Sequence, residues 1–189
     1  TLRGITLING LDTNGGGIIC VNNSNPILDH LIIKSNEAAI SGGGIFVNNS
    51  EPILTNISIL GNNSLNGGGI YLENSDLQIT RVLITGNKAS NCGGGIYNYQ
   101  SEPTLTNVTV TGNIALYCGG LYVSDSNPGP DVLNSIFWSN IPVQIAFDDQ
   151  LNSNTLNISY AVIQDTLNGI ETNSNGSVAA LSKNGVILS

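Results

Sequence analysis

The sequence predicts an all-β fold: a right-handed, single-stranded parallel β-helix solenoid of about six to seven coils of 25–27 residues. The phrase Gly-Gly-Gly-Ile, or a close relative, occurs five times and closes on Ile18, Ile45, Ile70, Ile96 and Leu121. The steps between these residues are 27, 25, 26 and 25, a period that indicates a repeat architecture. Apolar residues alternate with period two inside each repeat, which favours strands over helices.

Each repeat has the same internal order. A strand follows the glycines, a turn of the type Ser-x-Pro comes next, and two short strands separated by a bend lead to a turn Asn. Leu54–Ile59 and Leu105–Val110 are the clearest copies of the strand pair, and Thr1–Gly10 opens on the same phrase. A unit of this length filled with strands leaves no room for a helix. It must wind once around an axis and stack on the next unit at roughly 4.8 Å. Parallel crossovers are overwhelmingly right-handed, which sets the predicted hand.

Alignment of the repeats gives columns of equivalent residues. One column is apolar and faces the predicted core: Ile45, Ile70, Ile96 and Leu121. The next residue of each strand faces outward and is aromatic in four copies: Phe46, Tyr71, Tyr97 and Tyr122. Serine, turn-asparagine and bend-asparagine columns recur at fixed positions. Stacked polar residues of this kind can hydrogen-bond one another from coil to coil.

The repeats lose regularity after Leu121, and the Gly-Gly-Ile phrase is replaced by Pro142–Phe147. We expect one β-helix domain over residues 1–189, with regular coils over 2–140 and irregular coils and a C-terminal end over 141–189. Methionine is absent even at position 1, and the chain opens on a strand phrase. We therefore expect flanking domains of a longer precursor, or end-to-end self-association with another copy.

Composition narrows the function classes. Thirteen acidic residues against five basic ones give a net charge of −8, which argues against nucleic acid or an anionic membrane as a partner. No apolar run approaches the length of a membrane span. Three cysteines are too few for a disulfide scaffold.

The repeat phrases resemble a known superfamily. Gly43–Asn62 and its equivalents, out to Asn134–Asn140, are similar to right-handed β-helices called pectate-lyase-like. They are also similar to secreted bacterial Gly-Gly-Ile/Asn repeat proteins and to repeats of chlamydial polymorphic outer-membrane proteins. The resemblance covers about residues 2–165 and implies an extracellular or cell-surface location of bacterial or archaeal type. It leaves function open, because this fold hosts lyases, hydrolases, esterases, adhesins and passive stalks.

A column of acids follows the serine column: Glu51, Asp76 and Glu102. Carboxylates on successive coils would lie roughly 5 Å apart. Like charges at that spacing should bind a hard cation such as Ca²⁺ or raise one another's pKa. The alternative is that they point outward at a turn and remain solvated. The sequence thus predicts a calcium site, and three solvated surface carboxylates remain the alternative interpretation.

The aromatic column Phe46, Tyr71, Tyr97 and Tyr122 is a second candidate. Stacked rings on an outer strand face could form a ligand platform for the sugar rings of a polysaccharide. The alternative is ordinary aromatic stacking along a parallel sheet.

Cys92 and Cys118 precede consecutive Gly-Gly phrases, so they should lie on adjacent coils. This placement predicts either a disulfide or two stacked thiols. Cys20 aligns with the inward column and is expected to be a small core residue.

Two functions remain open. The first is a non-catalytic extracellular or cell-surface β-helix that serves as an adhesin, a stalk or a filament-forming structural segment. The second is a carbohydrate-binding or carbohydrate-active β-helix of the polysaccharide lyase or hydrolase type. The basic residues, with the single histidine His30, do not align with the acid column, so no catalytic group of residues is identified and the first function is favoured.

Overall fold

The computed structural model describes residues 1–148, 154–165, 170–171 and 187–188. Within these residues the chain forms short β-strands and no helix, in a right-handed parallel β-solenoid of about six turns. The predicted fold class is confirmed. Every strand pairing is parallel and joins one coil to the next, which is the defining feature of this architecture.

Four sheets run along the solenoid, with strands numbered in chain order. Sheet A holds β1 (Leu2–Arg3), β5 (Ile27–Asp29), β9 (Ile53–Thr55), β13 (Gln78–Thr80), β17 (Thr104–Thr106), β20 (Asp131–Leu133) and β23 (Asn157–Ser159). Sheet B holds β2 (Thr6–Ile8), β6 (Ile32–Lys34), β10 (Ser58–Leu60), β14 (Leu83–Thr85), β18 (Thr109–Thr111), β21 (Ile136–Trp138), β24 (Val162–Ile163) and β26 (Ile187–Leu188). Sheet C holds β3 (Leu11–Asn14), β7 (Glu37–Ser41), β11 (Asn63–Asn66) and β15 (Lys88–Cys92). Sheet D holds β4 (Ile18–Val21), β8 (Ile45–Asn48), β12 (Ile70–Glu73), β16 (Ile96–Tyr99), β19 (Leu121–Ser124), β22 (Ile145–Phe147) and β25 (Ile170–Glu171).

The hydrophobic core fills the space between the four sheets. The central residue of each fully described strand in sheets A and B points inward, as Leu54 and Ile59 do, and is almost completely buried from the second coil onward. In sheet D the first and third residues point inward. Cys20 occupies this third position at 1% exposure, so its predicted place in the core is confirmed. Asn98 occupies the same position three coils later, as a polar residue in an otherwise apolar column.

A ladder of buried asparagines runs between sheets B and C. Its members are the turn residues Asn36, Asn62, Asn87, Asn113 and Asn140. Asn87 shows the repeating pattern, because its Nδ2 donates to Oδ1 of Asn113 and to the carbonyl oxygen of Ile59, both at 3.0 Å. Its Oδ1 accepts hydrogen bonds from the backbone N–H of Asn62 at 2.9 Å and from the Asn62 side chain at 3.0 Å. Each asparagine therefore links three successive coils.

Both ends of the asparagine ladder are closed by other residues. The backbone N–H of Gly10 donates to Oδ1 of Asn36 at 2.8 Å. At the opposite end, Nδ2 of Asn140 donates to Oε1 of Gln144 at 2.7 Å. The ladder thus satisfies its buried polar groups, which would otherwise each cost about 1–3 kcal/mol.

The third glycine of each Gly-Gly-Gly phrase packs against this ladder. A Cβ at Gly69 would lie 3.2 Å from Nδ2 of Asn87 and 2.6 Å from the carbonyl oxygen of Gly95. A second ladder, formed by the serines at the turn between sheets D and A, links the backbone N–H of Ser75 to Oγ of Ser101 at 2.9 Å. The repeated Gly, Asn and Ser residues are therefore parts of one stacking arrangement.

We expect the substitution Asn87→Ala to lower the free energy of unfolding by about 3 kcal/mol. It leaves the buried groups of Asn62 and Ile59 without their partner. Urea denaturation followed by circular dichroism measures the change. Asn63→Ala is the matched control, because Asn63 faces outward in β11, and it should change stability by less than about 0.5 kcal/mol. Equal effects of the two substitutions would contradict the importance of the ladder.

Candidate functional site

The acid column lies on the surface at the turn between sheets D and A. Glu51, Asp76 and Glu102 are all exposed. Oδ1 of Asp76 accepts a hydrogen bond from the backbone N–H of Glu102 at 2.7 Å, just as Oδ1 of Asn25 accepts one from Glu51. Asp76 therefore acts as a coil-to-coil acceptor, a role that a neutral Asn also fills. In the described part of the chain, no three His, Cys, Asp or Glu side chains are grouped as a metal site requires. The calcium site remains a prediction.

The aromatic column forms a continuous stack on the outer face of sheet D. Ring centroids are 5.5 Å apart for Phe46 and Tyr71, 4.9 Å for Tyr71 and Tyr97, and 5.2 Å for Tyr97 and Tyr122. The first two pairs are nearly parallel and the third is tilted by 35°. Neighbouring rings thus cover one another's faces, and the edges and hydroxyl groups remain as the lateral surface. The ligand platform remains a prediction, and stacking of sugars on open ring faces is limited to the two ends of the column.

The glycine corner between sheets C and D holds these rings in place. Gly67 has a φ of +62°, and a Cβ there would lie 2.9 Å from Cβ of Tyr71 and 2.5 Å from the carbonyl oxygen of Ile70. Only a residue without a side chain allows both the left-handed backbone and the close approach of the ring. The corner therefore explains why a glycine precedes Phe46, Tyr71 and Tyr97 by four positions, whereas Cys118 holds the equivalent place before Tyr122.

Burial of the tyrosines changes their ionisation. Burial raises the pKa of Tyr71 above its ordinary value, and the nearby carboxylate of Glu73 acts in the same direction. Burial also raises the pKa of Tyr97 and of Tyr122. These phenols are protonated at neutral pH, as ordinary tyrosines are, and can donate hydrogen bonds. Tyr97 interacts with Ser124, whose Oγ donates to Oδ2 of Asp148 at 2.7 Å.

A polar cluster lies at the bend between sheets A and B. Oδ1 of Asp29 is 2.6 Å from Nδ1 of His30 and accepts a hydrogen bond from Nδ2 of Asn56 at 2.9 Å. Its Oδ2 lies 3.0 Å from Nε of Arg3, and Nε of Arg81 donates to Oδ1 of Asn56 at 2.7 Å. The hydrogen bond from Asn56 holds the pKa of Asp29 below its usual value, with smaller contributions from His30 and Arg3.

This cluster joins residues on four successive coils, and the sequence did not identify Asp29 as the partner shared by Arg3, His30 and Asn56. Asp29 directly precedes His30 at the end of the strand before the bend, and this position was the sequence signal that could have identified it. The cluster is solvent-exposed at Arg3 and His30, and exposed ion pairs contribute little to stability.

Comparison with known proteins gives one match. A family model described as right-handed β-helix region matches residues 2–137, well over half of the chain. The chain belongs to the right-handed β-helix family. The searches of curated proteins and of solved structures gave no significant match. Membership of this family establishes the fold but not the activity, because activity depends on the residues of the individual β-helix.

The described part of the β-helix contains no helix that is both long and apolar enough to cross a membrane.

Two cysteines of the β-helix lie on adjacent coils, as the repeat spacing predicted. Cys92 and Cys118 are in-register partners in a parallel bridge, and the structure carries both as thiols, so the disulfide stays a prediction. Sγ of Cys118 donates to the carbonyl oxygen of Leu121 at 3.2 Å, whereas Cys92 hydrogen-bonds to the side chain of Tyr122. The arrangement is that of two stacked thiols with different partners.

One surface of this β-helix was not identified from the sequence. Large apolar side chains are exposed along sheets B and C on the fifth and sixth coils and in the loop before Cys118: Ile114, Leu116, Tyr117, Trp138 and Ile141. Isolated exposed apolar residues are normal on protein surfaces.

We expect the unfolded, unreduced protein to show three reactive thiols, because the structure carries Cys20, Cys92 and Cys118 as thiols. In the native protein at pH 8, Cys20 and Cys92 should react about a hundredfold more slowly than in the unfolded chain, because burial raises the pKa of each from 9.0 to about 11. Reaction with a chromogenic disulfide reagent, with and without guanidinium, measures both quantities. A count of one thiol would instead establish the Cys92–Cys118 disulfide.

Proposed function

We propose that this β-helix is a non-catalytic structural segment of an extracellular or cell-surface protein, a rigid stalk or adhesin scaffold. The observation that carries the proposal is the buried asparagine ladder, which runs without interruption from Asn36 to Asn140. A rod whose coils share buried side-chain hydrogen bonds resists bending and local opening. A spacer between an anchor and a distal binding region needs this property.

The surface composition supports the same role. Only 10% of the residues are charged, and the polar surface is rich in Asn, Ser and Thr side chains. Three apolar residues of the first coil, Leu2, Leu7 and Ile18, remain partly exposed, whereas their equivalents in the next coil are almost fully buried. A further parallel coil, from a flanking segment or from another copy, would cover them and pair with β1, β2, β3 and β4. End-to-end extension is therefore part of the proposal.

The titratable groups fit a structural role as well. Asp76 and Asp29 are both engaged in hydrogen bonds that link coils, and the tyrosines of sheet D stack on one another. Each of these groups thus contributes to the joining of successive coils. The competing proposal, a carbohydrate-active β-helix, would require side chains that converge on one point of a bound sugar.

Deletion of one whole coil should leave the β-helix folded. Removal of residues 54–78 joins Ile53 to Ile79, which then takes the place of its register partner Leu54 in sheet A. Circular dichroism should retain its β signal, and small-angle scattering should show a rod shorter by about 4.8 Å. Deletion of residues 54–66 is the control, because it removes half a coil and should abolish folding. Failure of the whole-coil variant to fold would contradict a modular rod.

The same preparations allow the non-catalytic assignment to be tested. Acidic and neutral polysaccharides, each with Ca²⁺ and with chelator, should be neither cleaved nor retained by the wild-type protein. Product formation with any of them would overturn the structural assignment in favour of a carbohydrate-active enzyme. Retention without cleavage would indicate that the β-helix is a carbohydrate-binding module and not a spacer.

A further inference from the structure

Three phenols of sheet D are stacked on successive coils. Tyr71 and Tyr97 are in-register partners of β12 and β16, with ring centroids 4.9 Å apart and ring planes inclined by 11°. Tyr122 continues the stack at 5.2 Å from Tyr97, with a tilt of 35°. The column begins with Phe46, which has no hydroxyl group. Each of the three tyrosines therefore has another phenol as its neighbour, and Tyr97 has one on either side.

The other described tyrosines lack such a neighbour. Tyr99, Tyr117 and Tyr160 make no ring contact with another aromatic side chain in the described part of the chain. Tyr117 and Tyr160 are 57% and 65% exposed, whereas the stacked phenols are half-buried. Stacking on a second phenol, and not exposure to solvent, is thus what distinguishes the tyrosines of the column.

A stack of phenols is arranged for radical coupling. One-electron oxidation of a phenol leaves a phenoxyl radical, whose unpaired electron lies in the π orbitals that extend from the ring face and is concentrated in part on the carbons ortho to the oxygen. Because Tyr71 and Tyr97 are nearly parallel and in register, their matching ortho carbons are about as far apart as the ring centroids, roughly 5 Å. Reactants held in this way react far faster than the same groups on separate molecules.

We propose that the tyrosine stack is an oxidative modification site, at which Tyr71 and Tyr97 are joined into a dityrosine. The oxidant is hydrogen peroxide acting through a peroxidase. Each phenol gives up one electron and one proton, and one molecule of peroxide takes up both pairs to form two molecules of water. The two radicals form one carbon–carbon bond between their ortho carbons. Each ortho carbon then loses its proton while each oxygen regains one, so the product has two hydrogen atoms fewer than the two tyrosines.

The new bond links the third coil to the fourth outside the core. Strands β12 and β16 already pair through their backbones, so the cross-link needs no rearrangement of the sheet. Tyr97 lies 26 residues after Tyr71, and the bond closes the chain between them into a loop. Like a disulfide, such a bond stabilises the fold by restricting the unfolded chain. The proposal follows from the geometry of the rings and does not depend on the role as a stalk.

Treatment of dilute protein with a peroxidase and hydrogen peroxide tests the site. Chains that remain monomeric on a denaturing gel are isolated, which removes products of coupling between molecules, and are digested with trypsin. Trypsin cuts after Arg81 and Lys88 and therefore separates Tyr71 from Tyr97 unless a bond joins them. We expect mass spectrometry to find peptides 35–81 and 89–183 joined, two hydrogen atoms lighter than their sum, with the fluorescence of dityrosine.

Two substitutions show which phenols react. Tyr97→Phe removes the phenol beside Tyr71 but keeps a ring in the column, as Phe46 does, and should leave the two peptides separate. Tyr117→Phe is the matched control, because it removes a more exposed phenol without a stacked neighbour, and it should retain the cross-link. The oxidised wild type should also unfold at a higher urea concentration than before oxidation, and Tyr97→Phe should not.

Several results would overturn the proposal. Peptides 35–81 and 89–183 that stay separate in the oxidised wild type exclude the bond between Tyr71 and Tyr97, even if coupling occurs within peptide 89–183. A cross-link between the two peptides that survives in Tyr97→Phe assigns the reaction to another tyrosine. Loss of the cross-link in Tyr117→Phe would show that exposure, and not stacking, selects the reacting phenols.

Discussion

Hydrogen bonding between buried side chains of successive coils is the interaction on which this structure depends. The backbone pairs coil to coil in all four sheets, but the corners between the sheets would leave polar groups unsatisfied in the interior. The asparagine ladder fills one such corner, and the serine ladder fills another. Each Asn of the ladder packs against the third glycine of a Gly-Gly-Gly phrase. The glycine phrase and the turn asparagine, the two most prominent signals in the sequence, therefore form the two sides of the same packing contact. The solenoid is regular where both are present.

The regular stacking of the interior also aligns the residues on the outer surface. Since every coil repeats the same path, any residue type kept at one position becomes a row along the axis. The row of rings on sheet D and the polar cluster around Asp29 both arise in this way. The outward column of sheet C follows the same rule, with polar Glu37, Asn63 and Lys88 followed by apolar Ile114 and Ile141 on the fifth and sixth coils. A β-helix thus converts short sequence patterns into long surfaces, which suits scaffolds and binding faces alike.

Much of the fold could be predicted from the sequence, because a period near 26 with strand alternation leaves few alternatives. The alignment of columns correctly separated Leu72, which faces the core, from Tyr71, which faces outward. Details of side-chain direction could not be predicted. Spacing alone left open whether the tyrosine rings stack on one another and how Cys92 and Cys118 interact, because both outcomes depend on side-chain torsions. Asn98 shows that a core column can carry a polar residue: its Nδ2 donates to Oγ of Ser126 and to the carbonyl oxygen of Ser101, whereas its buried Oδ1 has no hydrogen-bond partner among the described residues.

Hydrogen exchange of the native protein tests the central claim most directly. If the ladders join the coils into one rigid rod, the backbone amides of Asn36, Asn62, Asn87 and Asn113 should exchange only through global unfolding, with equal free energies of opening. Their protection should fall together as urea is added. Amides that open independently, coil by coil, with free energies far below that of global unfolding, would contradict the account.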